Sequence, residues 1–404
     1  MRSGPLSQGP PVIILGGYES ALSIARSLGR RGVKVRALAK PEWYVCHSRY
    51  AECIPLDERR EFWEAAEAFL LGSDSDHLAG SLILAGSDEA LDILIRHRET
   101  LLEKFLLDRS DPVAQRKMLD KISTYHAAVE ADVPVPAHWL IQSAEDLDAV
   151  VDDLRYPLLV KPRLSHLFWP LFDGAKHITA TNFDELEPAL EKVNNAGVDV
   201  FLTEKIPGPD DLDCSYYTYL DEDGTPRFDF TKRVIRRYPK NMGIATYNIT
   251  DHVEGVKEPA LRLLRHVGLQ GLANVGFKLD ERDGVLKLIE CNARFTATTE
   301  ESARAGMDQA DIVYRMAVGM PLQNVDGFRD GVRQLDPGRD LLAFRELRDM
   351  GELSLAGWAR SLAHPQVFSF FSLRDPGPTW SRRHQMLDRV RSRASKLVPK
   401  RPGR

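Results

Sequence analysis

The sequence predicts an α/β protein: an N-terminal Rossmann-like domain built on a parallel sheet, followed by a larger α+β body whose strands carry polar groups at alternate positions. Three observations predict it. The opening "PPVIILGGYESALSIARSLGRRGVKVRALA" reads strand, Gly turn, helix, strand, the βαβ unit that implies a parallel sheet. "SLILAGSDEALDILIRHRETL" repeats that rhythm, with Ser87 or Asp88 as the helix N-cap, so the first 110 or so residues form one doubly wound domain. Further on, "VLKLIECNARF" sets Glu290, Asn292 and Arg294 on one face of an otherwise apolar strand, because side chains alternate faces.

Composition limits the function classes. A chain of 404 residues has room for two or three domains, and a net charge of -5 points to neither nucleic acid nor a membrane. The four cysteines, Cys46, Cys53, Cys214 and Cys291, are scattered, with no CxxC pair and no His at metal spacing, which suits a reducing cytoplasm. The apolar run near the N-terminus is too short for a signal-peptide core, and nothing approaches the ~20 apolar residues of a membrane span. Gly16 and Gly17 are adjacent, not spaced as G-x-G-x-x-G, so the first turn reads as a packing turn and not an NAD site.

After "DRSDP" the character changes. "VAQRKMLDKISTYHAAVEADVPVPAHWLI" reads as a helix carrying Lys121, then a Pro-punctuated loop into a strand. "YPLLVKPRLSHLFW" ends an apolar strand in Lys161; a lysine there either snorkels from a sheet edge or meets an anion. In "VDVFLTEKIPGPDDLDCSYYTYLDEDG" a strand breaks at Pro207-Gly208. Backbone groups beside Glu204 left without ladder partners suit an adenine edge, and Asp211 could reach ribose hydroxyls; the alternative is a turn with solvated acids.

"GLANVGFKLDERDGVLKLIECNAR" reads as a hairpin whose tip is the three-residue loop Arg282-Asp283-Gly284. That register sets Gly276 opposite Glu290 and Asn274 opposite Asn292, with Lys278 on the same face. A carboxylate and an amide two apart, beside lysines, are what Mg²⁺ bound to phosphates asks for: hard oxygen ligands, few of them from protein.

Taken in order, these elements resemble the ATP-grasp superfamily from Val12 to Gly319, through "LDK", "LLVKP", "TEKIPG" and "LIECNAR". Within it, the Gly-poor "KPRLSHLFWPLFDGAKH" loop, "RVIRRYPKNMGIAT" and the late "RDPGP" look most like the D-aspartate-ligase-like carboxylate-amine ligases. The resemblance implies a Rossmann-like domain over 1–112, a two-subdomain ATP-grasp domain over 113–325 with ATP between the subdomains, and a C-terminal extension over 326–404. It implies that Lys121 and Lys161 contact nucleotide phosphates, Glu204 and the Ile206 backbone adenine, Asp211 ribose, and Glu290 and Asn292 Mg²⁺. Arg294 would hold an acyl phosphate or a substrate carboxylate. The implied reaction joins a small acid and an amine, such as amino acids, through an acyl phosphate, converting ATP to ADP and phosphate.

Lys232, Arg236 and Arg237, in a basic segment, are candidates for the transferring phosphate or the acid substrate, or form a solvated strand edge. Two departures from the family stand out. Gly276 occupies a position where members commonly carry an acid, which motivates a second reading: a nucleotide-binding but catalytically impaired protein with a regulatory or scaffolding role. The loop after Lys161 has only Gly174, so phosphate closure would rest on Ser165, His166, Lys176 and backbone. Finally, Leu387, Val390, Ala394, Leu397 and Val398 fall at helical spacing among Arg382, Arg383, Arg389, Arg391, Arg393 and Lys396. That basic amphipathic tail suits an anionic membrane or acidic partner, or else docks on its own domain.

Overall fold

The computed structural model describes residues 6, 8–16, 18–172, 174–322 and 327–382. Strands Val12–Leu15 (β1), Val35–Leu38 (β2), Glu52–Ile54 (β3) and Leu82–Ala85 (β4) pair in parallel in the order β3-β2-β1-β4, with helices Glu19–Arg30 (α1), Phe62–Leu71 (α2) and Asp88–Arg96 (α3) between and after them. β1 and β4 are buried along their whole length, as the unbroken apolar runs of a parallel sheet require. The strand order reverses between β1 and β4, so the N-termini of α1 and α3 open side by side at the carboxyl ends of their strands. Ser87 caps α3, its Oγ accepting the Ala90 N–H at 3.3 Å. Between β2 and β3 the chain doubles back and joins Cys46 to Cys53 in a disulfide with Cα atoms 4.9 Å apart, a pairing the sequence spacing did not suggest.

Helix Arg98–Leu102 (α4) leads to Pro112–Leu119 (α5) and Lys121–Glu130 (α6). The single helix expected through Lys121 is therefore two. Asp120 leaves helical geometry and caps α6, its Oδ1 accepting from Ile122 and Ser123 at 3.1 and 3.3 Å, which makes Lys121 the first residue of α6.

His138–Trp139 (β5), Ala144–Val150 (α7), Leu158–Pro162 (β6), Ser165–Phe168 (α8), Ile178–Ala180 (β7), Phe183–Asn195 (α9) and Val200–Glu204 (β8) form a small subdomain on an antiparallel sheet of order β5-β8-β6-β7. Its separate core contains Leu158, Val160, Phe168, Leu186 and Val193. Because β6 is an interior strand, Lys161 cannot reach water along a sheet edge.

The large sheet takes Asp213–Leu220 (β9), Phe230–Tyr238 (β10), Ile244–Thr250 (β11), Gly271–Asp280 (β12), Val285–Asn292 (β13), Arg333–Leu335 (β14) and Gln366–Val367 (β15) in the order β13-β12-β9-β10-β11-β14-β15. Around it run Lys257–His266 (α10), Thr299–Ala305 (α11), Gln309–Val318 (α12), Pro337–Asp349 (α13) and Leu355–Ser361 (α14). One face is apolar: Cys214, Tyr216, Val275, Phe277 and Leu288 share a core with Met118, Ile122, Leu261 and Leu264 from α5, α6 and α10. The alternate residues line a cleft.

In the β12–β13 hairpin Asn274 opposes Asn292 and Gly276 opposes Glu290, as the sequence register has it, but the register then slips so that Phe277 opposes Leu288 and Asp280 opposes Val285. Ile289 is the extra residue of a β-bulge, and the loop is Glu281–Gly284 instead of the expected three residues.

The region after residue 326 is tied to both bodies. β14 pairs with β11, and Arg26 of α1 holds the segment that follows β15: its guanidinium is 2.8 Å from Asp375 and donates to the carbonyls of Ser369 and Phe370 at 2.8 Å each. Ser48 and the Arg49 N–H complete the shell of Asp375, and both charges are sealed from solvent. Removing one member of such a pair strands the other, so Asp375→Ala should cost about 3–5 kcal/mol in urea unfolding; a loss under ~1 kcal/mol would refute the clamp.

Candidate active site

The small subdomain, the polar face of the large sheet and the carboxyl edge of the N-terminal sheet enclose a cleft of about 490 Å³. At its centre is Glu290, on β13. Lys121, at the start of α6, approaches it to 3.5 Å, while Lys161 of β6 and Lys176 from the loop before β7 line the same wall. Burial pushes the Glu290 carboxyl up, but Lys121, Lys176, Lys161 and Arg294 outweigh it and hold the group well below the usual carboxylate range. Burial pulls Lys161 and Lys176 down to about 8, with Glu290 resisting in each case. Lys161 also donates to the Tyr125 hydroxyl at 3.2 Å, and Tyr125 in turn to the Ile289 carbonyl at 3.2 Å, which fixes the lysine over β13. Burial first, then Lys161 and Lys176, press His177 down to about 3, so it is neutral and reports the positive field around it.

Two residues from Glu290, the Asn292 amide nitrogen donates to Asn274 Oδ1 at 3.3 Å, leaving the Asn292 oxygen free to face the cleft. Arg294 continues the series. Its Nε meets Asp88 at 2.5 Å, so the first residue of α3 in the N-terminal domain orients a guanidinium carried by the large sheet. At one end of the cleft, among the described residues, the Ile206 backbone N–H and C=O have no hydrogen-bond partner.

Residues 246–325 match the family described as Carbamoyl-phosphate synthase L chain, ATP binding domain. The D-aspartate ligase of Enterococcus faecium (strain Aus0004) is 25% identical over 299 residues, covering 70% of each chain. A carbamoyl phosphate synthase large chain from Methanobrevibacter smithii is 24% identical over 213 residues, 50% of this chain but 19% of that protein. Among solved structures, N5-carboxyaminoimidazole synthetase from Staphylococcus aureus complexed with ADP superposes with a TM-score of 0.62 at 16% identity, covering 80% of this chain and 81% of that one. L-amino acid ligase from Bacillus licheniformis gives 0.57 at 17% identity, covering 76% and 74%.

The chain has the ATP-grasp fold. Its cleft contains most of the residues singled out from the sequence: Lys121, Lys161, Lys176, Glu204, Ile206, Lys232, Glu290, Asn292 and Arg294 all line it. Two do not. Asp211 is exposed on a turn outside the ATP-grasp cleft, and Asp213 lines it instead, because β9 begins at Asp213 and its alternation with Ser215 and Tyr217 sets the inward face. Arg236 points away and is consumed by Asp340, at 2.8 and 2.9 Å, and Ser361. Register shifts in β10 either side of Arg236 turn its neighbour Arg237 inward.

Asp213, missed in the sequence, is pushed up by burial while Arg237, 3.2 Å away, and Lys278, at 3.9 Å, pull it down. The alternation of β9 was the signal that could have found it. Asp88 was expected only as a helix cap. Glu204 reaches the cleft with its carboxylate engaged by Arg282, and Asp280 is locked between Arg282 and Lys287, so Asp280 cannot stand in for an acid at Gly276.

Because Lys161 and Lys176 lose their protons near pH 8, a polyanion should bind best below that value. Tripolyphosphate affinity, measured by calorimetry, should fall as pH rises through about 8 and should show a weaker decline in Lys161→Met. A pH-independent affinity would contradict the burial of these two ammonium groups.

Proposed function

We propose that this protein is an ATP-dependent carboxylate-amine ligase that activates an acid as an acyl phosphate and joins it to an amine. The observation that carries the reading is the cluster at Glu290: oxygen donors from Glu290 and Asn292 ringed by Lys121, Lys161, Lys176 and Arg294 in one cleft. The match to a D-aspartate ligase over most of both chains supports it.

In this reading the nucleotide lies between the subdomains, its adenine edge on the Ile206 backbone, its ribose near Asp213 in place of Asp211, and its phosphates over Lys121, Lys161 and Lys176. The donor set fits Mg²⁺: Glu290 and Asn292 offer two hard oxygens to the cleft, and among the described residues no group of three or more His, Cys, Asp or Glu could hold a metal, so phosphate oxygens and water would supply the rest. When bound, Mg²⁺ would neutralise charge on the transferring phosphoryl group.

A substrate carboxylate oxygen attacks the γ-phosphorus and ADP leaves; the amine nitrogen then attacks the acyl carbon, the C–O bond to phosphate breaks, and the proton lost from nitrogen leaves with the phosphate. Arg294, oriented by Asp88, stabilises the anionic acyl phosphate, and Lys232 holds the acid substrate. Arg237 replaces Arg236 among the basic candidates. Catalysis rests on positioning and electrostatics, and needs no enzyme nucleophile. Burial accordingly pushes the Cys214 and Cys291 thiols up to about 12.

The substrates are a small acid and an amine, amino acids by analogy with the named ligases, and not nucleic acid. The use of ATP suits the cytoplasm, where the Cys46–Cys53 pair would be expected reduced. No helix among the described residues is long and apolar enough to cross a membrane. A membrane or acidic-partner contact through the basic tail concerns residues 383–404, outside those described, while Arg382 itself pairs with Asp336 at 2.7 Å.

The test is amine-dependent ADP release over a panel of amino acids and small acids. Lys161→Ala and Glu290→Gln should each lower it by about 10²-fold or more with thermal unfolding little changed, since each removes a charge opposed to phosphate or Mg²⁺. Near-normal turnover in either variant would overturn the assignment.

Gly276 keeps the impaired-protein reading alive, and nucleotide binding without ADP release for any pair would favour it. A Cβ at Gly276 would lie 3.5 Å from Glu290 Cγ, an ordinary contact, so a larger side chain can enter there. Gly276→Glu should lower the Mg²⁺ concentration for half-maximal nucleotide binding. An unchanged or higher requirement would show that no metal position is weakened by the missing acid.

A further inference from the structure

Among the described residues, one buried acid has neither carboxylate oxygen hydrogen-bonded. Glu301, on α11, is 0% exposed, and neither carboxylate oxygen has a hydrogen-bond partner among the described residues. Its backbone N–H donates to Gln334 Oε1 at 3.1 Å, which anchors that turn of α11 to β14. Lys232, on β10, is 7% exposed, lines the cleft, and has no ion pair or side-chain hydrogen bond among the described residues. Diagonal to it on β11, opposite Val234, Asn248 has a buried Oδ1 that is also unpartnered among the described residues. An ammonium left unpaired in a nearly dry wall is costly unless it meets an anion or a nearby negative charge.

Other charges on the elements packed against α11 are turned elsewhere. Glu19 meets Arg339, Arg26 meets Asp375, Arg31 meets Asp308, Asp311 meets Arg315, and on α11 itself Glu300 meets Arg304. Arg30 lies over Tyr50, and Arg333 over Tyr247. The turn of α11 that carries Glu301 is held on Gln334, which opposes Asn248 on β11, and Asn248 opposes Val234, two residues from Lys232 on the same face of β10. Glu301 therefore lies over the corner of the sheet that presents Lys232, whose charge favours its ionisation.

We propose that Glu301 is a positioning residue, a proton-linked counter-charge sealed behind Lys232. While Glu301 is neutral, Lys232 presents its full charge to an anionic substrate group; once Glu301 ionises, that attraction is cancelled. Proton uptake at Glu301 and anion binding at Lys232 therefore favour each other, as linkage requires. The groups themselves agree: burial pushes the Glu301 carboxyl up to about 8, with Lys232 opposing, so the change falls near neutral pH. The assignment of an anionic substrate to Lys232 rests on the ligase reading above, but the linkage does not need turnover.

The experiment is a carbon-13 NMR titration of glutamate side-chain carboxyls in the full-length protein, with Glu301→Gln and Lys232→Met beside it. One glutamate should titrate near pH 8, vanish in E301Q, and move higher in K232M, where the cation favouring ionisation is gone. In parallel, sulfate, whose charge is constant over this range, should bind several-fold more weakly at about pH 9 than at about pH 7, by a margin that shrinks in E301Q. No glutamate titrating above about pH 7, a value unmoved in K232M, or the same sulfate profile in E301Q would overturn the proposal. If E301Q does not fold, the K232M titration decides alone. ADP release plays no part, so a failure of the ligase reading would appear there while these readouts stood.

Discussion

A single carboxylate holds together the charges on which this molecule turns. Glu290 is surrounded by Lys121, Lys161, Lys176 and Arg294, which would repel one another without it. Asp88 answers Arg294, but Glu290 and the nearby Asp213 do not fully neutralise the three lysines and the basic groups around them. The remainder is a positive field that adds to burial in holding His177 neutral, and a polyanion would satisfy it. The apolar packing behind β12 and β13 places Glu290 where this balance can exist.

The cations come from different parts of the chain, so the cleft is also where the bodies are tied together. Lys121 begins α6 because Asp120 caps it, and Asp120 also accepts from Arg163 beyond β6, linking the helix to the small subdomain. Asp88 stands at the first turn of α3 because β1 and β4 are neighbours with their following helices opening at one edge, and from there it reaches Arg294. Arg26 ties the segment near Phe370 to α1, and Phe370 forms part of the cleft wall. Each tie is polar and at least partly buried, which favours one arrangement of the bodies over many.

Much of this was legible in advance. The βαβ rhythm announced the parallel domain, and alternation in "LIECNAR" brought Glu290, Asn292 and Arg294 to one face, since a period of two needs no tertiary knowledge. The reading failed where the backbone departed from ideal periodicity. A bulge at Ile289 lengthened the hairpin loop, irregularity in β10 exchanged Arg236 for Arg237, and a cap at Asp120 split one helix into two. Asp211 was preferred to Asp213 because the start of β9 cannot be placed from a run of acids alone.

What the sequence by itself determined was the order and type of the elements and the chemistry carried at the end of each strand, because those follow from local periodicity and residue type. Only the tertiary structure decided which charges are consumed and which stay available. Arg236 and Lys232 lie on the same strand, yet one is neutralised by Asp340 and the other faces the cleft with no ion pair among the described residues. Asp88 and Glu301 look like ordinary helix acids in the chain, yet one holds Arg294 and the other is buried with no hydrogen-bond partner among the described residues. The physical reason is that a charge's role depends on its partners and its access to water, and both are set by segments far away in the chain.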